Sequence, residues 1–568
     1  MKIIGLQLNK AGSLWLHIGI ITAGLWFGAG CASTPNQIAL VPKWEQYEIT
    51  LTSQGNYQNP VQEAALTAVF TSPTGEKFRV PGFWDGGRTW RIRFAPNLAG
   101  KWQWETECPA TQDKGLHQIK GEFLCTASKQ QDRFAQHGPV IISPDRRYFM
   151  HEDGTPFFWL GDTAWNGPLL ASDDEWAFYV RTRAQQKFSA VQWVCTQWRA
   201  APQGDREGQL AYTGRERIQI NPKFFQRLDR RVETMNRAGL LSVPVLLWAI
   251  QGGSQPAINP GVSLPDDQAA LLARYMVARW QGRAVVWILN GDGDYRGDKA
   301  EKWKRIGRAV FGDIAHAPVT LHPGGRMWVL NEFRDEKWLD ICGYQSGHNT
   351  SDDNLRWITT GPASKEWKQG PPRPFISLEA PYENHAGTGG KPMGADVVRR
   401  AHYWSLLNAP TAGITYGAHG IWGWDDGTKP PTDHPHAGVP LPWQKALFMP
   451  GASQMTKLYE FFTSIEFWRL RPAPELLAAQ PGTTEPRRFI SAAWTEKKDL
   501  AVIYVPEDRM VEVRLDALTS GPGSPDLTWV NPRTGERKPG VGLIDATTCK
   551  MPTPEPGDWL LLITWAKK

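Results

Sequence analysis

Ala284-Val285-Val286-Trp287-Ile288-Leu289-Asn290-Gly291-Asp292 is the stretch on which the fold turns. It is a short apolar, strand-like run that breaks into a polar corner and closes on a carboxylate. A second run of the same kind, Pro374-Phe375-Ile376-Ser377-Leu378-Glu379, also ends on an acid. As the fourth and seventh strands of a (β/α)8 barrel, these runs would deliver both carboxylates to the C-terminal mouth, where such barrels do chemistry. Two carboxylates facing each other across a cleft are the minimum equipment for breaking a glycosidic bond.

Outward from these two, the rhythm repeats. Short apolar runs occur at Phe157–Leu160, Phe188–Cys195, Leu240–Leu247, Ala284–Leu289, Pro318–His322, Leu339–Gln345, Pro374–Glu379 and Gly413–Tyr416. Amphipathic helix candidates lie between them at Asp173–Gln186, Asn221–Ala238, Asp266–Trp280, Asp298–Val310 and Gly394–Leu407. Asp173 and Asn221 read as N-caps, and Gly239 stands where a helix C-terminus wants glycine. Alternating units of this kind predict a closed parallel barrel over 134–470. An open doubly wound sheet would want a Gly-rich phosphate loop after the first strand, and Gly161-Asp162-Thr163-Ala164-Trp165 is not one.

The flanks differ in pattern. Residues 41–126 alternate and are punctuated by turns, with strands expected at Glu45–Thr52, Glu63–Thr71, Lys77–Pro81, Thr89–Phe94 and Gly100–Thr106. A helix at Ser453–Phe467 and a Pro-rich link precede a second β-rich stretch over 484–568. The expected fold is therefore multidomain, a central (β/α)8 TIM barrel flanked by N-terminal and C-terminal β-sandwich domains. At 568 residues the chain has length enough for several cores.

Composition narrows the partners. A net charge of +6, with no Lys/Arg block, argues against nucleic acid. The 29 Trp against 13 Tyr are divided between core packing and flat faces suited to stacking on sugars. Residues 1–31 read as a targeting segment: Lys2 and Lys10, a largely apolar Leu14–Phe27, then Gly28-Ala29-Gly30-Cys31. This resembles a bacterial lipoprotein signal with Cys31 as the lipidated residue, which implies export and a membrane partner only through that anchor. An ordinary secretory cut nearby is the alternative. Of the remaining cysteines, Cys108 and Cys125 share one β-rich stretch and can pair in an oxidising compartment, while Cys195 and Cys342 sit in apolar runs as buried thiols.

Every expected strand delivers polar or aromatic side chains to the same mouth: Asp162, Thr163 and Trp165; Gln197 and Trp198; Trp248 and Gln251; Asp292 and Asp294; His322; Tyr344, Gln345 and His348; Glu379, Tyr382 and Glu383; His419, Trp422, Trp424 and Asp425. One acid must stay protonated to donate to the leaving oxygen, and the other must be ionised to attack or to activate water. Competing readings are weaker. Asn290-Gly291-Asp292-Gly293-Asp294 also suits a tight loop, but it lacks the downstream Glu of a calcium hand. Glu383 also reads as a rim residue that orients Tyr382. The three mouth histidines lack short ligand spacing, so no metal is expected, and no organic cofactor is implied. No Gly-x-Ser-x-Gly marks a serine esterase.

Longer motifs carry a resemblance. Phe157-Phe158-Trp159-Leu160-Gly161-Asp162-Thr163-Ala164-Trp165, Trp287–Asp292, Leu321-His322-Pro323 and Leu378-Glu379-Ala380-Pro381-Tyr382-Glu383 resemble the apiosidase-like glycosidases, glycoside hydrolase family 140. Tyr57-Gln58-Asn59-Pro60, Gly82–Gly86 and Arg93-Phe94-Ala95-Pro96 are similar to the β-domain that often precedes that barrel, and the C-terminal stretch resembles a small β-domain labelled collagen-binding in such proteins. Nothing in its residues supports collagen binding. The resemblance implies Asp292 as acid/base after strand four and Glu379 as nucleophile after strand seven. It also implies an oligosaccharide or polysaccharide substrate, of which pectic side chains ending in apiose are the best-known type. Relatives commonly show Gly-Gly-Asp where this chain has Asn290-Gly291-Asp292. Asp162, Trp165, Trp198, His322, Tyr344, His348, Tyr382 and Trp422 are expected to position the sugar. The rival expectation is a glycan-binding surface protein that kept the barrel and lost activity.

Overall fold

The computed structural model describes residues 38–387, 390–507, 509–519, 525–545 and 547–565. The targeting segment, Cys31 included, lies outside them. The centre is a ring of eight parallel strands: β1 (Trp159–Thr163), β2 (Ala190–Val194), β3 (Leu241–Trp248), β4 (Trp287–Gly293), β5 (Val319–Pro323), β6 (Cys342–Gln345), β7 (Phe375–Glu379) and β8 (Gly413–Tyr416). All but one of the residues in these strands are buried, which is why each reads as an apolar run rather than an alternation.

The hydrogen-bonded order is β5-β4-β3-β2-β1-β8-β7-β6. Where the ladder lapses, between β5 and β6, the gap is stitched by other bonds. Asp340 N and Ile341 N donate to the Val319 carbonyl at 3.0 and 3.1 Å, and the Gln345 amide donates to the Pro323 carbonyl at 2.8 Å.

Among the described residues, six helices of nine residues or more connect successive strands of the ring: α1 (Asp173–Gln185), α2 (Pro222–Arg237), α3 (Asp266–Trp280), α4 (Lys299–Phe311), α5 (Asp352–Thr360) and α6 (Ala395–Leu407). Between β5 and β6 there is only a single turn, Leu330–Phe333. The cap of α1 is Ser172 rather than Asp173: its hydroxyl accepts from Glu175 N while Glu175 reaches back to Ser172 N, a complete capping box. Asn221 does occupy the N-cap position of α2, but its side chain donates to the Leu210 carbonyl instead of capping. Gly239 takes the left-handed φ of +76° expected after a helix end. The helix foreseen at Ser453–Phe467 runs from Pro450 to Thr463, because Pro450 fits the first helical turn.

The N-terminal flank packs a five-stranded sheet on a three-stranded one over its own core of Phe70, Ile92, Trp102 and Phe123. Three strands there, Ala39–Pro42, Phe83–Trp84 and Lys120–Thr126, were not foreseen. The run expected at Glu63–Thr71 is a strand only from Thr67, and Glu63 ends a helical turn, Pro60–Glu63, its carboxylate accepting from Gln58 N and Asn59 N. The C-terminal flank packs six strands on three around Trp529, Trp559 and Ile563. Cys108, Cys125, Cys195, Cys342 and Cys549 are all buried and free.

Buried guanidinium groups dock the flanks onto the barrel. Arg93 reaches Asp229 of α2, Arg279 of α3 bridges Asp85 and Asp229, and Arg399 of α6 meets Asp558 at 2.7 Å. No helix among the described residues is long and apolar enough to cross a membrane.

Candidate active site

A cleft of about 790 Å³ opens at the C-terminal ends of the strands, and neither flank contributes a residue to its lining. Asp292 and Glu379 both line it. Asp292 sits in an irregular end of β4, where the pairing with β5 shifts on either side of Gly291. Its φ of +46° is left-handed, a conformation that Asp tolerates better than most residues. Such bulges re-aim side chains at barrel rims, and held strain of this kind collects at working sites. Gly291 is needed beside it, since a Cβ there would lie 2.3 Å from the Trp248 ring.

The two acids live in different surroundings. Glu379 Oε1 lies 2.7 Å from His348 Nε2, and Oε2 lies 3.3 Å from His322 Nε2. Burial alone would raise the Glu379 carboxyl. The two imidazoles outweigh it and hold the group well below the usual carboxylate range. Asp292 moves the other way. Burial raises it first, and the negative charge of Glu379 raises it further, against opposing contributions from His322, Arg199 and His348. Its one protein hydrogen bond among the described residues comes from Gln345 Nε2 to Oδ1 at 3.0 Å. Two carboxyls driven apart in this way fit an acid and a nucleophile at the same pH.

Aromatic walls surround them. Trp165, Trp198, Trp248 and Trp422 line the cleft. Trp198 and Trp248 meet at 4.5 Å between ring centres, and the Trp198 indole donates to Asn166 Oδ1 at 2.7 Å. His348 and Tyr382 also line the cleft, their rings 4.2 Å apart. Gly417 lets the Tyr382 ring come close, because a Cβ there would fall 2.0 Å from it.

Of the residues expected to position sugar, Trp165, Trp198, His348, Tyr382 and Trp422 reach the cleft. Three do not. Asp162 is fully buried in the wall, paired with Arg183 Nε and the Tyr179 hydroxyl, each at 2.6 Å. An acid ending an apolar strand is costly unless paired, and here α1 supplies the partners. Tyr344 points away from the mouth, packing on Trp328 and Trp357, and the next residue, Gln345, faces inward instead. His322 is fully buried behind Glu379, against Trp165, so it holds the carboxylate rather than the sugar. Glu383 is no rim residue either: it is buried, accepting from the Tyr416 hydroxyl and from Gly451 N.

The pairing of Asp162 with Arg183 can be tested on stability. Arg183→Met would strand a buried carboxylate and is expected to cost roughly 3–5 kcal/mol, read from urea unfolding. A sugar-facing Asp162 would predict lost binding with stability intact.

Several cleft residues escaped sequence reading. Arg199 donates to His434 Nε2 at 2.8 Å and lies 3.7 Å from Asp433 and 4.0 Å from Asp292. Asp433 in turn accepts from Ser254 N at 2.8 Å, so the segments after β2, β3 and β8 are tied together along one side of the mouth. Burial, then the Arg199 charge, push His434 down to about 4. His385 completes the wall. Arg199 was next to the recognised Gln197-Trp198 pair, but the Pro-rich loop carrying Asp433 and His434 has no periodicity to flag it. Among the described residues no cluster of acids, histidines and cysteines is arranged to hold a metal.

Comparison with known proteins agrees with this architecture. A glycoside hydrolase structure superposes with a TM-score of 0.66 at 23% identity, covering 78% of this chain and 99% of the other. A glycoside hydrolase family 5 structure from Bacteroides vulgatus gives 0.65 at 21%, covering 77% and 95%. A second Bacteroides vulgatus structure, also assigned to the glycoside hydrolases, gives 0.68 at 17%, covering 93% and 99%. At these identities the likeness speaks for the fold. No curated protein matches the chain. A domain of unknown function, DUF5060, matches residues 40–109. The apiosidase-like catalytic domain matches residues 143–469, more than half the chain and the whole of the barrel that carries Asp292 and Glu379. The chain belongs to the apiosidase-like family of glycoside hydrolases.

Proposed function

We propose that the enzyme removes a sugar from a polysaccharide side chain, of the pectic, apiose-bearing kind, with retention of configuration. The observation that carries this reading is the pair of carboxyls in one cleft, Glu379 flanked by His348 at 2.7 Å and His322 at 3.3 Å and Asp292 left without a cation in contact, their ionisation displaced in opposite directions. The kind of substrate rests on the family match. Glu379 attacks the anomeric carbon as the bond to the leaving oxygen breaks, and Asp292 gives that oxygen its proton. Water then attacks the glycosyl-enzyme, Asp292 takes the water's proton, and the Glu379 carboxylate departs. The indoles of Trp165, Trp198, Trp248 and Trp422 offer faces for the sugar C–H surfaces.

The pH profile follows from the same displacement. Glu379 must be ionised, so kcat/KM falls only when pH drops through its depressed pKa. Asp292 must be protonated, so activity is lost as pH rises through its raised pKa. The expected bell has its acidic limb displaced downward and its alkaline limb displaced upward from ordinary carboxylates. An alkaline limb that persists in Asp292→Asn would place the acid elsewhere.

Incubating purified protein with a polysaccharide panel tests the substrate, and NMR of the first-formed anomer tests retention. Release of no apiose from apiose-bearing pectin overturns the substrate; an inverted first product overturns the nucleophilic role of Glu379. Export with lipidation at Cys31 belongs to the same proposal. It predicts a membrane-associated protein that Cys31→Ser releases to the soluble fraction.

A further inference from the structure

We propose that Gln345 is a positioning residue that decides which oxygen of Asp292 carries the proton, making Oδ2 the atom that protonates the departing sugar oxygen. The inference rests on the acid role given to Asp292 above. Gln345 is buried at the end of β6. Its Nε2 stands 2.8 Å from the Pro323 carbonyl oxygen and 3.0 Å from Asp292 Oδ1. A carbonyl oxygen only accepts, so the amide must present its nitrogen here and not its oxygen. Both hydrogens of that nitrogen are then engaged, one by Pro323 and one by Oδ1. A proton on Oδ1 would point at an N–H, so the neutral acid carries it on Oδ2.

The other oxygen is left free to act. Among the described residues Oδ2 makes no protein hydrogen bond, and the nearest cation, Arg199 Nη2, is 4.0 Å away, beyond hydrogen-bond reach. The side chain lines the cleft. The bond to Pro323 is also one of those that close the β5–β6 gap. The amide is therefore held by the barrel wall, and the donor keeps its aim without help from a loop. The charged and titratable groups facing Asp292 are Arg199 after β2, Tyr295 after β4, His322 on β5, His348 after β6 and Glu379 on β7. Gln345 is the neutral donor among them.

Removing that donor has two effects of opposite sign. An N–H aimed at a carboxyl oxygen favours the ionised form, so its loss should raise the Asp292 pKa by roughly one unit. The alkaline limb of activity then moves up, while turnover falls because the proton is no longer confined to Oδ2. A residue that merely fills space would lower turnover without moving the limb.

The experiment is a carbon-13 NMR titration of the Asp292 carboxyl in the full chain, the signal assigned by its disappearance in Asp292→Asn. Gln345→Met keeps the length of the side chain and lacks the donor. The expected result is an upward shift of about one unit, and an unchanged titration in the folded variant overturns the proposal. Should that variant fail to fold, Gln345→Leu, which also lacks the donor and adds no charge, takes its place. The same rise is expected, and an unchanged titration is equally fatal. Full turnover by Asp292→Asn would instead overturn the acid role, and this proposal with it.

Discussion

Glu379→Gln should lower kcat/KM by roughly 10⁴-fold or more, the scale seen when a nucleophile that acts as part of a unit is removed. The exchange is nearly isosteric, so the fold should hold, and an unchanged thermal midpoint would show that the loss is chemical. The imidazoles of His348 and His322 now flank that carboxylate at 2.7 and 3.3 Å. Facing an uncharged amide, they would have no anion to stabilise. Azide supplied to Glu379→Ala, where truncation does vacate that side, should yield a glycosyl azide of inverted configuration. Turnover within tenfold of the parent would remove Glu379 from the chemistry.

Asp292→Asn should cost roughly 10²- to 10⁴-fold on substrates whose leaving oxygen needs a proton. The same change should leave the first step nearly intact for a dinitrophenyl leaving group, which departs unaided. The geometry makes this a clean comparison. The Gln345 amide that donates to Oδ1 at 3.0 Å can donate equally to the Asn carbonyl. Equal losses on both classes of leaving group would mean that Asp292 holds the site together without supplying a proton. Together the two substitutions separate attack from protonation, which the opposed pKa displacements only imply.

Much of the barrel was legible because its strands are buried on both faces. Val285 to Leu289, or Leu241 to Leu247, read as apolar runs whatever surrounds them. The two acids were legible for the same reason, since a charge closing such a run stands out. What could not be read was the direction of single side chains. Tyr344 and Gln345 are neighbours, and a strand sends neighbours to opposite faces. Only the register of β6 on β7, with its shift between them, decides that the glutamine faces the mouth. Asp162 looked like another mouth acid because its partners come from α1, where Tyr179 and Arg183 sit one turn apart and point back at the wall. That i, i+4 pair of polar groups on a buried helix face was the available clue. Asp433 and His434 offered none: their approach to Arg199 depends on a loop path that no pattern in the chain encodes.

The left-handed backbone at Asp292 limits what chemistry can drift into this position. Asparagine and aspartate bear that conformation more readily than most other side chains, whereas glutamate would meet the steric penalty as well as overreach by a methylene. A lineage could therefore silence this proton donor in one conservative step, to the amide, but could not lengthen it without rebuilding the rim of the fourth strand.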